Sequence, residues 1–151
     1  GAMAALSTER IQALIYPAGF YRNKARNIKN ITSILIEKYN GKVPDTQEAL
    51  LDLPGVGLKT ANLTLSLGFN LPYICVDIHV HRISNRLGWV HTEKPDDTER
   101  ELSKVLPQKY WIQINELFVR FGQSVCTPVS PWCSTCPLTA ECPKVGVLRH
   151  R

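Results

Sequence analysis

The sequence predicts an all-α fold. Apolar residues recur at three- and four-residue steps along most of the chain, and no alternating apolar–polar run is long enough for a sheet. Turn signals built from Pro, Gly and Asn punctuate the periodic stretches. Ser7 can cap a short helix carrying Ile11, Leu14 and Ile15, which Pro17-Ala18-Gly19 would stop. A longer helix follows with Tyr21, Ala25, Ile28, Ile31, Leu35 and Tyr39 on one face, ended by Asn40-Gly41. Arg22, Lys24, Arg26 and Lys29 crowd its first turns, where cations oppose the helix dipole. They read equally as phosphate contacts or as a solvated face. Asp45 and Glu48 form a capping box ahead of Ala49, Leu50 and Leu51. The turn Leu53 to Gly57 then leads into a helix from Leu58 to about Gly68. Asp77 precedes an amphipathic segment with Val80, Ile83 and Leu87, closed by Gly88. Pro95 to Thr98, with Glu101, open a further helix that Pro107 ends. The last long helix is expected to bury Trp111, Ile114, Phe118, Phe121 and Val125. Val145 to Arg151 reads as a frayed tail.

A chain of 151 residues with 44% hydrophobic content suits one medium domain or two small ones with a real core. No apolar run approaches the roughly 18 residues of a membrane span, and nothing resembles a signal peptide. The expectation is a soluble, intracellular protein. Gly1-Ala2-Met3 reads as a cloning remnant. Lys and Arg number 18 against 13 acids, a formal charge of +5, which favours an anionic partner without naming one. Of five cysteines, four stand as Cys126-x6-Cys133-x2-Cys136-x5-Cys142 in a Pro-rich stretch. That crowding fits a metal site in a reducing compartment better than a disulfide framework. A tetrahedral zinc site of four thiolates is one occupant, although only one Cys-x2-Cys pair is present. Cys75 lies outside the set and reads as a buried core thiol.

The turn Leu53-Pro54-Gly55-Val56-Gly57 contains two glycines that permit backbone conformations a Cβ would forbid, and a proline that fixes the entry. The amides of Gly55 and Gly57 and the start of the next helix can converge on a phosphate oxygen, a contact that positions a nucleic-acid backbone without reading sequence. The same spacing also suits a plain interhelical turn. Lys59 follows at once. An ammonium in the first turn of a helix feels the positive end of the dipole, and burial would penalise its charge further, so both effects favour the neutral, nucleophilic amine. Such an amine can form a Schiff base with a sugar aldehyde carbon. Asp77 is placed to cap the helix it precedes, and a capping carboxylate is also rigidly held. His79 and His81, in that helix's first turn, read as hydrogen-bonded structural residues more readily than as catalysts.

Leu53 to Asn62, Val76-Asp77-Ile78-His79-Val80-His81-Arg82 and the four-cysteine spacing occur in the order found in endonuclease III. The chain resembles that family of helix-hairpin-helix DNA glycosylases, of the thymine glycol type, from about Ile11 to Pro143. Ile15 to Tyr21 and Phe121-Gly122-Gln123 are similar too. The resemblance implies a base-excision-repair enzyme, both glycosylase and AP lyase, that removes oxidised pyrimidines and nicks the abasic strand. Lys59 falls on the family's nucleophilic lysine, Asp77 on its catalytic aspartate, and Cys126, Cys133, Cys136 and Cys142 on the ligands of a [4Fe-4S] cluster. Gly55, Val56, Gly57, Thr60 and His79 fall among its DNA contacts. Phe20 falls where relatives push an apolar side chain into the duplex. The implied architecture is a partial helical-barrel domain over residues 1–71 and an iron–sulfur domain over 72–151, with the active site in the cleft between them. The partner is double-stranded DNA carrying a damaged pyrimidine or an abasic site, met by a monomer in the nucleoid, nucleus or mitochondrion.

Three positions depart from the family pattern. An N-terminal helical segment of the relatives has no counterpart, which leaves the completeness of the lesion pocket open. Ile78 stands where relatives usually carry threonine. The loop Thr127 to Trp132 has no Lys or Arg, although its bacterial counterparts are basic. Two further functions fit: a monofunctional glycosylase, against which Lys59 argues, and a non-catalytic DNA-binding module that uses the hairpin as a phosphate clamp.

Overall fold

The computed structural model describes residues 1–151, and every regular element in it is helical. The backbone divides into two compact units, 1–57 and 58–151.

In the first unit, α1 (Ala2–Ala5) and α2 (Thr8–Ile15) pack on α3 (Tyr21–Tyr39), and α4 (Gln47–Leu51) follows. Ser7 caps α2 as expected, its hydroxyl accepting from the Arg10 amide at 3.1 Å. Ile11 and Ala25 are fully buried at the helix contact, while Ile28, Ile31 and Leu35 are half-buried. Three of the four cations of α3 have partners within the unit: the Lys29 ammonium donates to the carbonyls of Ala4 and Leu6, closing the end of α1, Arg26 donates to Asn23 Oδ1 at 2.8 Å, and the Arg22 guanidinium lies 5.5 Å from the Tyr21 ring centre. Asn40 and Gly41 both adopt left-handed conformations and end α3, with the Gly41 amide donating to Leu35 O at 2.7 Å. The capping box expected from Asp45 and Glu48 does not form. Thr46, not Asp45, caps α4, its hydroxyl accepting from the Ala49 amide, because the helix begins at Gln47 and only the residue just before it can reach that donor.

In the second unit, α5 (Leu58–Leu63) runs on through a π-helical turn, Thr64–Gly68. The Thr64 hydroxyl bonds back to Thr60 O at 2.8 Å, which competes with the regular ladder there. A non-helical stretch, residues 71–76, leads into α6 (Ile78–Arg86), then α7 (Pro95–Val105) and α8 (Ile114–Ser124). The core is Ile74, Val76, Val80, Ile83, Val90, Leu102, Ile114 and Phe118, with Trp111 and Phe121 packed against it. Burial of side chains of this size contributes about 1.5–3 kcal/mol each. Trp111 lies before α8 rather than on it, where its indole N–H donates to Leu106 O at 2.8 Å.

The last residues correct the expectation of a frayed tail. The Arg151 amide donates to Pro131 O at 2.8 Å, its carbonyl accepts from Ser134 N at 2.9 Å, and its guanidinium stacks 4.1 Å from the Trp132 ring centre. The proline-rich loop supplies the reason, since it offers carbonyls and an aromatic face that its own backbone does not satisfy. No helix is long and apolar enough to cross a membrane.

Candidate active site and cysteine pocket

Cys75 links the Lys59 backbone to the segment that carries Asp77. The stretch Ile74–Val76 is buried, at 1%, 1% and 5% exposure. Its thiol reaches back to α5, where Cys75 Sγ donates to Lys59 O at 3.6 Å. Burial pushes that thiol up to about 11; the nearby Lys59 charge opposes the shift and the Asp77 carboxylate adds to it. Lys59 itself is exposed on the first turn of α5, so the burial invoked for it from sequence is absent. Asp77 is half-buried and caps α6. Its Oδ1 accepts from the amides of His79 at 2.8 Å and Val80 at 2.9 Å, and Oδ2 takes no part in the cap. Capping and a chemical role therefore use different oxygens of one rigidly held carboxylate.

The two histidines separate. Arg82 Nη2 lies 3.0 Å from His79 Nδ1, and because a guanidinium only donates, Nδ1 accepts and the ring proton sits on Nε2. Arg82 also donates to Gly122 O at 3.2 Å and Cys126 O at 3.0 Å, tying α6 to the end of α8. Burial, seconded by Arg86, presses against the Arg82 charge. His81 turns away to a polar cluster, with Nδ1 2.6 Å from the buried Thr98 hydroxyl, which meets Thr92 in turn. It is structural.

At the hairpin Gly55 has φ +77°, and the Asn27 side-chain amide occupies the space a Cβ would need, so glycine is required twice over. The Val56 amide is spent on Leu53 O at 3.1 Å, and those of Gly55 and Gly57 have no backbone partner. Gly55, Gly57 and Thr60 are exposed. Phe20 is 83% exposed and held at φ 58° at the start of α3, an uncommon conformation for a bulky residue.

Cys126, Cys133, Cys136 and Cys142 all line one cavity of about 30 Å³, walled by Ile83, Leu87, Phe121 and Trp132. No three of them, alone or with a nearby His or carboxylate, gather tightly enough to hold a single metal ion. A mononuclear thiolate site needs each sulfur about 2.3 Å from one centre, hence about 3.8 Å from its neighbours. Burial raises the Cys133 thiol, with Lys144 opposing. Arg86 reaches this pocket from the end of α6, donating to Cys126 Sγ at 3.3 Å, Thr127 O at 2.7 Å and Pro128 O at 2.6 Å.

Sequence reading missed Asn62 and Asn115, whose amides donate to Ile74 O at 2.9 Å and Cys75 O at 3.2 Å, and it missed the grip of Arg82 and Arg86 on the cysteine loop. A polar residue on the buried stripe of a helix was the available signal for Asn62.

A hairpin that offers free amides, an amine and a capping carboxylate, and a four-cysteine pocket define a helix-hairpin-helix repair protein. The chain belongs to the HhH-GPD superfamily of base excision DNA repair proteins, which it matches over residues 1–108. Within it, the chain is similar to endonuclease III. It is 51% identical over 140 residues to endonuclease III of Thermotoga maritima, across 93% of this chain and 66% of that protein. It is 49% identical over 141 residues to endonuclease III homolog 2, chloroplastic, of Arabidopsis thaliana, across 88% of this chain and 36% of that one. The chain thus spans just under two thirds of the first relative and about a third of the second. Among solved structures, a trapped endonuclease III–DNA covalent intermediate superposes with a TM-score of 0.86 at 40% identity, covering 94% of this chain and 67% of that one.

Proposed function

We propose that this chain carries the catalytic core of a bifunctional DNA glycosylase and AP lyase that excises oxidised pyrimidines from duplex DNA. The observation that carries the reading is the placement of Lys59 on the first turn of α5, its carbonyl bonded to the Cys75 thiol, with the rigidly capped Asp77 two residues beyond that thiol. A relative caught as a covalent complex with DNA supports it. The target base is inaccessible in the stack and is flipped out, at a cost of a few kcal/mol that a lesion reduces. Lys59 Nζ attacks C1′ while the glycosidic bond breaks, and the base departs with the bonding pair and gains a proton. Asp77 Oδ2 accepts a proton from the amine and stabilises positive charge developing on the sugar. Opening of the sugar ring gives a protonated imine, which acidifies C2′. Loss of the C2′ proton forms a C2′–C3′ double bond and expels the 3′ phosphate. Water then frees Lys59.

The amides of Gly55 and Gly57 and the Thr60 hydroxyl hold backbone phosphate, with Val56 shaping the turn. His79 presents Nε2–H to DNA, and Phe20 enters the gap left by the flipped base. On this reading residues 1–71 carry the hairpin and wedge, and 72–151 carry the cysteines. Cys126, Cys133, Cys136 and Cys142 suit a [4Fe-4S] cluster. They line one pocket walled by Ile83, Leu87, Phe121 and Trp132, which would shelter such a cluster from water. The cluster's contribution when bound is to order the Cys126–Cys142 loop.

Borohydride trapping on duplexes with thymine glycol or an abasic site tests the proposal. A covalent adduct absent in Lys59→Gln is the expected result. Base release without an adduct would indicate a monofunctional glycosylase, and binding without chemistry a DNA-binding module.

A further inference from the structure

The stretch that delivers Asp77 is buried and lies outside any helix, and no sheet exists to hydrogen-bond its carbonyls. Buried backbone acceptors are nearly always paired. Here two asparagine amides stand in for a neighbouring strand. Asn62 on α5 donates to Ile74 O at 2.9 Å, and Asn115 on α8 donates to Cys75 O at 3.2 Å. Between them Cys75 Sγ reaches Lys59 O. Lys59 lies three residues before Asn62 on the same helix, and Asp77 two residues after Cys75. The cap fixes Asp77 to α6, but it does nothing to fix α6 against α5. That relation is set where this stretch is clamped.

We infer that Asn62 and Asn115 are positioning residues for the Lys59–Asp77 pair. By gripping consecutive carbonyls from two helices, they set the register of residues 74–77 along α5, and with it the placement of the Asp77 carboxylate relative to the Lys59 amine. This rests on the reading of Lys59 and Asp77 as the reacting pair. Neither asparagine needs to touch DNA. Both amides are already committed to backbone, so their removal should leave affinity alone and act on rate. A displacement of about 1 Å at a reacting pair costs on the order of 10²-fold in rate.

Asn115 is the better handle, because it is half-exposed while Asn62 is buried. In the full chain, Asn115→Ala should slow single-turnover borohydride trapping on a preformed abasic duplex by about 10- to 100-fold. Affinity for a duplex carrying a tetrahydrofuran abasic analogue should stay within about twofold, and Asn115→Gln should recover part of the rate. Asn115→Asp, which keeps the shape but loses both donors, gives the same comparison should the alanine variant not fold. A folded variant of either kind that traps at the wild-type rate overturns the inference, as does a rate that falls only in step with affinity or with the folded fraction. Lys59→Gln run in parallel separates the two readings. An adduct lost there and kept in Asn115→Ala removes only the clamp, whereas an adduct that survives Lys59→Gln removes the underlying function.

Discussion

Gly122 sits inside α8, where alanine ought to be better than glycine by about 1 kcal/mol on helix propensity. A Cβ at this position would press into His79 Nδ1 and stand 2.8 Å from Arg82 Nη2 and 3.1 Å from His79 Cγ. The arginine tip would be cheap to move were it free, but that nitrogen is bonded to His79, Gly122 O and Cys126 O. Overpacking of a well-filled contact costs about 1–3 kcal/mol. Each charged hydrogen bond that breaks adds about 1.5–3 kcal/mol. Set against the propensity gain, Gly122→Ala should lose about 2 kcal/mol, which for a chain of this size lowers Tm by about 4–8 °C. Thermal unfolding of Gly122→Ala, Arg82→Ala and the double variant measures it, and the alanine penalty should shrink once Arg82 is gone. The sign is decisive: a Tm raised by about 2–4 °C would mean that propensity prevails and that the junction of α6 with α8 is loose.

Two further outcomes follow from buried groups. The Cys75 thiol is held up to about 11 against a usual 9.0, so the unfolded chain loses its proton first as pH rises. Stability from this group is complete below pH 9 and is lost as pH climbs through about 11, and denaturant midpoints across that window should fall less steeply in Cys75→Ala. Identical slopes would show that the thiol is not desolvated. Ser84 is fully buried with a hydroxyl that has no partner, so Ser84→Ala should be neutral or stabilising by up to about 1 kcal/mol in a thermal melt. A loss of that size would expose a hidden acceptor.

What sequence could see was local chemistry. Ser7 and Asp77 announce their helices because a short polar side chain satisfies amides two or three residues away, and the Asp77 cap stands as expected. Gly55 was legible for the same reason, as were the four cysteines, whose spacing alone brings them to one pocket. The cap of α4 was misplaced because Asp45 and Thr46 are both good caps, and nothing local decides which abuts the first helical residue. Contacts across 40 or more residues were invisible. The partners of Arg82, Arg86 and Asn115 could not be read from sequence, because the carbonyls they serve belong to segments whose arrival depends on the whole fold. Arg151 was given to a loose tail for want of knowing that Trp132 would be waiting.

Helix α6 is a nine-residue rod, about 13 Å long, with the Asp77 carboxylate at its head and the Arg86 guanidinium stapled to Cys126, Thr127 and Pro128 at its foot. Arg82 adds a second rivet midway. A rod pinned this way carries a tilt from one end to the other. On the proposed function, slackening of the cysteine loop would therefore swing the Asp77 carboxylate out of line, and a defect in the loop and a defect in bond breaking would be inherited together.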